Sequence, residues 1–470
     1  MLKKLKTEIV VVGAGPGGYA AAFYAADQGK KVTLVESNEL GGVCLNRGCI
    51  PSKALLNIAH TIEEAAESKE RGLSFGDPKI DLKKIAKWKN GIISKLSGGI
   101  ETLAKARGVD VIQGRGYFED SQLLRVETKK GQQMISFDKA IIAVGSRPAL
   151  PAAFDLGNPR IMTSTEALEM EDIPKKLLIV GGGYIGLELG TVYAAMGSEI
   201  TLVEALPQIL TGADRDLVRP VEAYAKSKFK EVRTSQKVIK MATKGKSIKV
   251  TFESDKGPVD ELYDKVLISV GRTPNSHNLG LDNTQVVLDE KGYIGVNDQL
   301  QTADPSIYAI GDIAGGILLA HKASKEARIA VESILGDHVA FEDLVIPAVV
   351  FTHPEVSWAG LTETEAKEKK LKVKVAKFPW SASGRAMTFD KTNGMTKLIL
   401  EPDTNRVLGV GIVGHGAGEL IAEGTLAIEM GATAEDLAEV IHAHPTLSET
   451  VMESAEAFFG HATHLVPPKK

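Results

Sequence analysis

The chain has 470 residues, of which 43% are apolar and 25% charged, and its formal charge is −4. Such a balance excludes disorder and a basic nucleic-acid surface, and the length calls for about three domains of ~100–200 residues each. The basic start, Met1 to Lys6, is followed by an apolar run, Ile9 to Val12, that breaks into glycines. That run is too short for a signal peptide or a membrane span, so a soluble, cytoplasmic protein is expected.

The first strand-like run enters Gly13-Ala14-Gly15-Pro16-Gly17-Gly18 and then an Ala-rich helical stretch, fitting Gly-x-Gly-x-x-Gly on Gly13, Gly15 and Gly18. A second apolar run, Lys31 to Val35, ends in Glu36, 18 residues past the third glycine. In this spacing the first glycine permits a tight turn, the second lets a pyrophosphate approach the backbone, and the third lets helix and strand pack closely. The helix N-terminus holds the phosphates, and the acid accepts hydrogen bonds from a ribose diol.

Directly afterwards come the only two cysteines, Cys44 and Cys49, in Gly41-Gly42-Val43-Cys44-Leu45-Asn46-Arg47-Gly48-Cys49-Ile50-Pro51-Ser52-Lys53. The pairing points to a redox-active disulfide beside a flavin. The alternative is a structural bridge, but a loop closed over so few residues constrains little chain entropy, and a large domain does not need it. Pro51 and the helical Ser52 to Leu56 place Cys49 at or near a helix N-terminus, where the dipole favours a thiolate.

The whole pattern then recurs, offset by 168 residues: Leu177 to Val180, the glycines Gly181, Gly183 and Gly186, a helical stretch, Glu199 to Val203, and Glu204. One glycine fingerprint is weak evidence, whereas a repeat in register predicts two dinucleotide sites and hence two cofactors. The cysteines assign FAD to the first copy. Val203-Glu204-Ala205-Leu206-Pro207 has no Arg to pair with a 2′-phosphate, which favours NAD over NADP in the second. Further on, Thr302 to Asp312 is a short apolar strand ending in Gly311-Asp312, suited to accept bonds from sugar-like hydroxyls. Ile346 begins short β-like runs, including Met395 to Leu400 and Val407 to Val413, with helical patterning from Glu419 and from Ala434. Among ten histidines, His444 has Pro445 beyond it and Glu449 within reach. A general base, a metal pair in His442-x-His444, and a buried structural histidine all remain open on these residues.

With GGVCLNRGCIPSK, Ala143-Val144-Gly145-Ser146-Arg147-Pro148, Val270-Gly271-Arg272-Thr273-Pro274-Asn275, the Gly-Asp strand and His442-Ala443-His444-Pro445-Thr446-Leu447-Ser448-Glu449, the chain resembles the pyridine nucleotide–disulfide oxidoreductases over essentially its whole length. One departure is Val144, where the family more often has Thr. The resemblance implies an α/β fold with two Rossmann-like dinucleotide-binding domains and a C-terminal α+β dimerisation domain. Its layout would be FAD domain 1–148 and 275–345, NAD domain 149–274, interface domain 346–470.

The resemblance also implies site roles. Cys49 would be the flavin-side thiol and Cys44 the interchange thiol; His444 would be the base, oriented by Glu449, with no metal involved. Lys53 and Glu188 would pair near the flavin ring, and Tyr184 would cover it. FAD, one per subunit and non-covalent, would contact Gly13, Gly15, Gly18, Glu36, Lys53, Gly116, Asp312 and Ala320. NAD would contact Gly181, Gly183, Tyr184, Ile185, Gly186, Glu204, Val238 and Gly271. The implied activity is reoxidation of protein-bound dihydrolipoyl groups by NAD+ in 2-oxo acid dehydrogenase complexes such as that for pyruvate. A homodimer is implied, bound to the peripheral subunit-binding domain of a lipoyl-bearing acyltransferase core and visited by lipoyl domains. Glu204 opposes an NADP-linked glutathione reductase, and the absence of further cysteines opposes a mercuric reductase.

Overall fold

A computed structural model describes residues 3–342 and 344–466. Met1 and Leu2 of the basic start, and residues 467–470 of the expected interface segment, lie outside the described residues.

Every residue of Ile9–Val12 and Val32–Glu36 is buried, and Lys176–Val180 and Glu199–Val203 bury all but their first. Strands apolar on both faces belong inside parallel sheets covered on both sides, here by helices on one face and by a small, mainly antiparallel sheet on the other. Two such sheets form. The first runs Ile307–Ala309, Lys139–Ile142, Ile9–Val12, Val32–Glu36 and Asp110–Gln113, every neighbour parallel. The second runs Ile161–Met162, Lys265–Ile268, Lys176–Val180, Glu199–Val203 and Glu231–Arg233, again parallel throughout. The repeat carries into the helices: Pro16–Asp27 follows the first glycine loop and Tyr184–Ala195 the second, 168 residues on.

The glycines do in both copies what their spacing demands. Gly13 and Gly181 take φ of +99° and +111°, the left-handed region that favours glycine. A Cβ on Gly18 would lie 1.8 Å from the Gly13 carbonyl oxygen, and one on Gly186 would lie 2.2 Å from that of Gly181. The chain crosses between the two sheets through an antiparallel ribbon, Ser146–Pro148 against Arg272–Pro274.

Beyond residue 346 the sheet is antiparallel, in the order Ala348–Val350, Glu355–Gly360, Val407–Gly414, Met395–Leu400 and Lys374–Pro379. Helices Ala417–Glu429 and Glu449–Phe459 pack on it around Trp380, Leu398, Ile412, Ile421 and Val451. Buried Lys397 on this sheet reaches Asp214 (2.6 Å), Asp216 (2.8 Å) and Glu363 (2.9 Å), fastening it to the start of helix Arg215–Lys228. These three carboxylates converge closely enough for a metal ion, but the Lys397 ammonium already stands among them.

Candidate active site around the Cys44–Cys49 disulfide

The first glycine loop and its acid form one braced unit. Glu36, at the end of its strand, accepts the Ala14 N–H and the Asn38 N–H, each at 2.7 Å. From Glu36 a cavity of about 570 Å³ runs past Gly13 and Gly15 to Cys44, Cys49 and Lys53. Gly116, Asp312 and Ala320 line it as well, and so do Tyr184, Ile185 and Glu188 from the second unit. Its extent and its glycine cradle suit a dinucleotide.

Cys44 sits in a short helix, Gly42–Arg47, which the sequence gives no cue for. Gly48 breaks it, and the long helix Cys49–Glu67 starts at Cys49 itself. The cysteines form a disulfide with Cα atoms 4.8 Å apart. Cys49 thus has the positive end of a helix dipole beside its sulfur, an environment that stabilises a thiolate once the bond opens. One turn further on, Lys53 donates to both oxygens of Glu188, at 3.0 and 2.8 Å. Glu188 is 3% exposed, and it also accepts the Phe351 N–H at 3.2 Å.

The remaining expected residues lie elsewhere. Gly18 packs beneath its own loop rather than lining the cavity. Gly181 and Gly183 form the turn before Tyr184–Ala195, Gly186 lies in that helix's first turn, Glu204 follows strand Glu199–Val203, Val238 opens strand Val238–Lys244, and Gly271 precedes the ribbon. None of these six lines the cavity, whereas Tyr184 and Ile185, which open helix Tyr184–Ala195, do.

His444 and Glu449 form a second cluster. His444 Nδ1 lies 2.8 Å from Glu449 Oε1, and the Thr446 N–H donates to Glu449 Oε2 at 2.6 Å. Partial burial pushes the Glu449 carboxyl up, but the Thr446 N–H and His444 outweigh it and hold it below its ordinary value. His444 Nε2 has no partner among the described residues, and the side chain is 73% exposed. Neither His444 nor Glu449 lines the cavity of their own chain. His442 is different: its Nε2 is paired with Glu423 at 2.6 Å and its Nδ1 with the Val440 carbonyl at 2.9 Å, so His442-x-His444 is no ligand pair.

One constellation escapes the sequence reading. Asp312 is hydrogen-bonded to Ser146, whose Oγ accepts from Arg272 Nε at 2.6 Å and whose carbonyl accepts from Arg272 Nη2 at 2.9 Å. Both crossover segments thereby hold the Asp312 carboxylate at the cavity wall. The signal was present in the two motifs, but nothing in their spacing says that they pair.

Comparison with known proteins gives the chain's family. Residues 7–327 match the family model described as pyridine nucleotide-disulphide oxidoreductase, and residues 346–455 match that family's dimerisation domain. A dihydrolipoyl dehydrogenase of Vibrio parahaemolyticus is 47% identical, covering 100% of this chain and 99% of its own. One from Staphylococcus aureus is 44% identical with 98% of each chain covered. Among solved structures, LpdA from Mycobacterium tuberculosis superposes with a TM-score of 0.88 and the flavoprotein disulfide reductase RclA from Escherichia coli with 0.86. Each is 27% identical and covers 96% of this chain and 99% of its own. The chain therefore belongs to the pyridine nucleotide-disulphide oxidoreductases, enzymes of flavin and NAD(H).

Proposed function

We propose that the protein oxidises protein-bound dihydrolipoyl groups to lipoyl groups and reduces NAD+. The observation that carries this reading is the Cys44–Cys49 disulfide inside the dinucleotide cavity, one helical turn from the Lys53–Glu188 pair. The full-length relatives named dihydrolipoyl dehydrogenase support the substrate. Residues 1–148 and 275–345 are assigned to the FAD domain, 149–274 to the NAD domain and 346–470 to the interface domain. FAD, one per subunit and non-covalent, would be held by the first glycine loop, Glu36, Gly116, Asp312 and Ala320. NAD would be held by the second loop, Glu204, Val238 and Gly271.

In the reaction, a substrate sulfur attacks Cys44, the disulfide breaks, and Cys49 departs as a thiolate favoured by its helix N-terminus. The second substrate sulfur then displaces Cys44, closing the lipoyl ring and leaving both electrons on the cysteine pair. A base must take the substrate's thiol protons, and the family resemblance puts this base in a partner's site, a role that suits an exposed His444 outside the lining of its own cavity. The base is therefore assigned to His444 of the partner subunit, oriented by its Glu449, which makes the homodimer obligatory. Bound FAD supplies the two-electron path from the dithiol to NAD+. The peripheral subunit-binding domain of an acyltransferase core and its lipoyl domains are the macromolecular partners.

The test is anaerobic NADH formation from dihydrolipoamide and NAD+, run beside NADP+ and beside glutathione and thioredoxin-type disulfides under NADH. Rapid NADH formation from dihydrolipoamide alone is the expected result. Flavin reduction by NADH without dihydrolipoamide turnover would remove the substrate from the reading.

A further inference from the structure

Lysine ends in a compact ammonium on a flexible four-carbon stem, and its tip is not fixed by one ion pair alone. Lys53 has more than one contact. Its Nζ donates to both oxygens of buried Glu188, and on another side it lies 4.4 Å from the centre of the Phe351 ring. That is well within the distance at which an aromatic face attracts a cation. Phe351 follows strand Ala348–Val350 of the C-terminal sheet, and its own N–H donates to Glu188. A Cβ on Gly418 would lie 3.6 Å from Phe351 Cε1, so the start of helix Ala417–Glu429 packs beside the ring. Lys53 and Glu188 line the dinucleotide cavity, whereas Phe351 does not.

We propose that Phe351 is a positioning residue for Lys53: carboxylate and ring together confine the ammonium so that its remaining side meets the cavity. Helix Cys49–Glu67, helix Tyr184–Ala195 and the C-terminal sheet thereby converge on one charge. This rests on the proposed function above, to which it adds that Lys53, paired with Glu188 near the flavin ring, would stabilise negative charge developing on the reduced flavin. The ring acts through Lys53 and touches neither substrate nor flavin. The backbone contact to Glu188 does not depend on the side chain at 351, proline excepted, so the variants below isolate the ring.

The test uses the full-length, flavin-loaded protein carrying Phe351→Leu, Phe351→Met or Phe351→Tyr, with Lys53→Met as the reference. Two readouts are taken: the rate at which an amine reagent modifies Lys53, followed by peptide mass spectrometry, and the rate of flavin reduction by NADH. Losing the ring in the Leu and Met variants is expected to speed Lys53 modification about five-fold and slow flavin reduction about five-fold, with kcat/KM for dihydrolipoamide unchanged. Tyr restores the parent values. Parent-like labelling in the Leu or Met variant, or a Tyr variant as impaired as they are, overturns the proposal. If Lys53→Met reduces its flavin slowly while Phe351→Leu behaves as the parent, only the placement by Phe351 fails. If Lys53→Met reduces its flavin normally, the role of Lys53 fails and the placement with it.

Discussion

Glu36 and Glu204 occupy equivalent places in the two sheets and are braced by equivalent amides. Glu36 takes the N–H groups of Ala14 and Asn38. Glu204 takes those of Gly182 (2.7 Å) and Leu206 (2.9 Å), the residues that stand in the same places of the second copy. Arg233, on the strand beside Glu204, has its guanidinium held by Glu231 and Glu261. The two acids should therefore fail separately. Glu204→Ala is expected to raise the KM for NAD+ about ten-fold or more with flavin content unchanged, and Glu36→Ala to lose flavin. Flavin absorbance per subunit and NAD+ saturation curves check the crossed pattern.

His444→Gln keeps the shape of the side chain but cannot take a proton. Turnover with dihydrolipoamide is expected to fall by about 10²–10⁴, the usual worth of a positioned base, while stopped-flow reduction of the flavin by NADH stays close to the parent rate. Equal losses in both would show that His444 does not serve the dithiol half of the reaction.

His353 ties acid stability to one side chain. Burial, with Lys391 and His60 beside it, pushes its imidazole from 6.5 down to about 4. Between those values the unfolded chain binds a proton that the folded chain refuses, so stability is full above 6.5, falls as the pH drops, and stops falling below about 4. The total is of order 3 kcal/mol, with about 2 kcal/mol lost by pH 5. Thermal denaturation of His353→Gln at pH 7 and pH 5 should show a smaller drop in Tm than the parent shows.

Lys397→Met removes the ammonium from among Asp214, Asp216 and Glu363 while keeping most of the buried volume. Stranding those carboxylates is expected to cost about 3–5 kcal/mol in urea unfolding. Both aspartates are held below their ordinary values because the lysine hydrogen bonds, with Lys377 and the Glu363 N–H among them, outweigh desolvation. Without Lys397 they should protonate more readily, so the gap to the parent should narrow at pH 5.

What could be read from the chain was what lies close along it. Each glycine loop, its helix and its terminal acid fall within one short stretch, and backbone sterics give the spacing its meaning. The edge of the site was harder. Lys53 and Glu188 are 135 residues apart, and only the family resemblance joined them. Phe351 and Glu188 are 163 apart, and no motif marks Phe351. The helix Gly42–Arg47 is only six residues long and has no side-chain cap, so neither periodicity nor a capping signature could announce it. His444 was identifiable as a candidate, and the family resemblance already pointed to a site shared between two subunits; the fold adds that His444 does not line the cavity of its own chain.

The two-stranded ribbon has an architectural consequence. Its register sets Ser146 opposite Pro274 and Pro148 opposite Arg272, so the chain leaves for the second sheet and returns from it at neighbouring points. A unit whose ends meet is a domain that can be inserted into its host without rerouting the host's chain. Replacing everything between the ribbon strands with a short turn would leave the backbone path of the first sheet, including its late strand Ile307–Ala309, unbroken, while Lys53 and Lys397 would lose the Glu188, Asp214 and Asp216 carboxylates that the insert supplies.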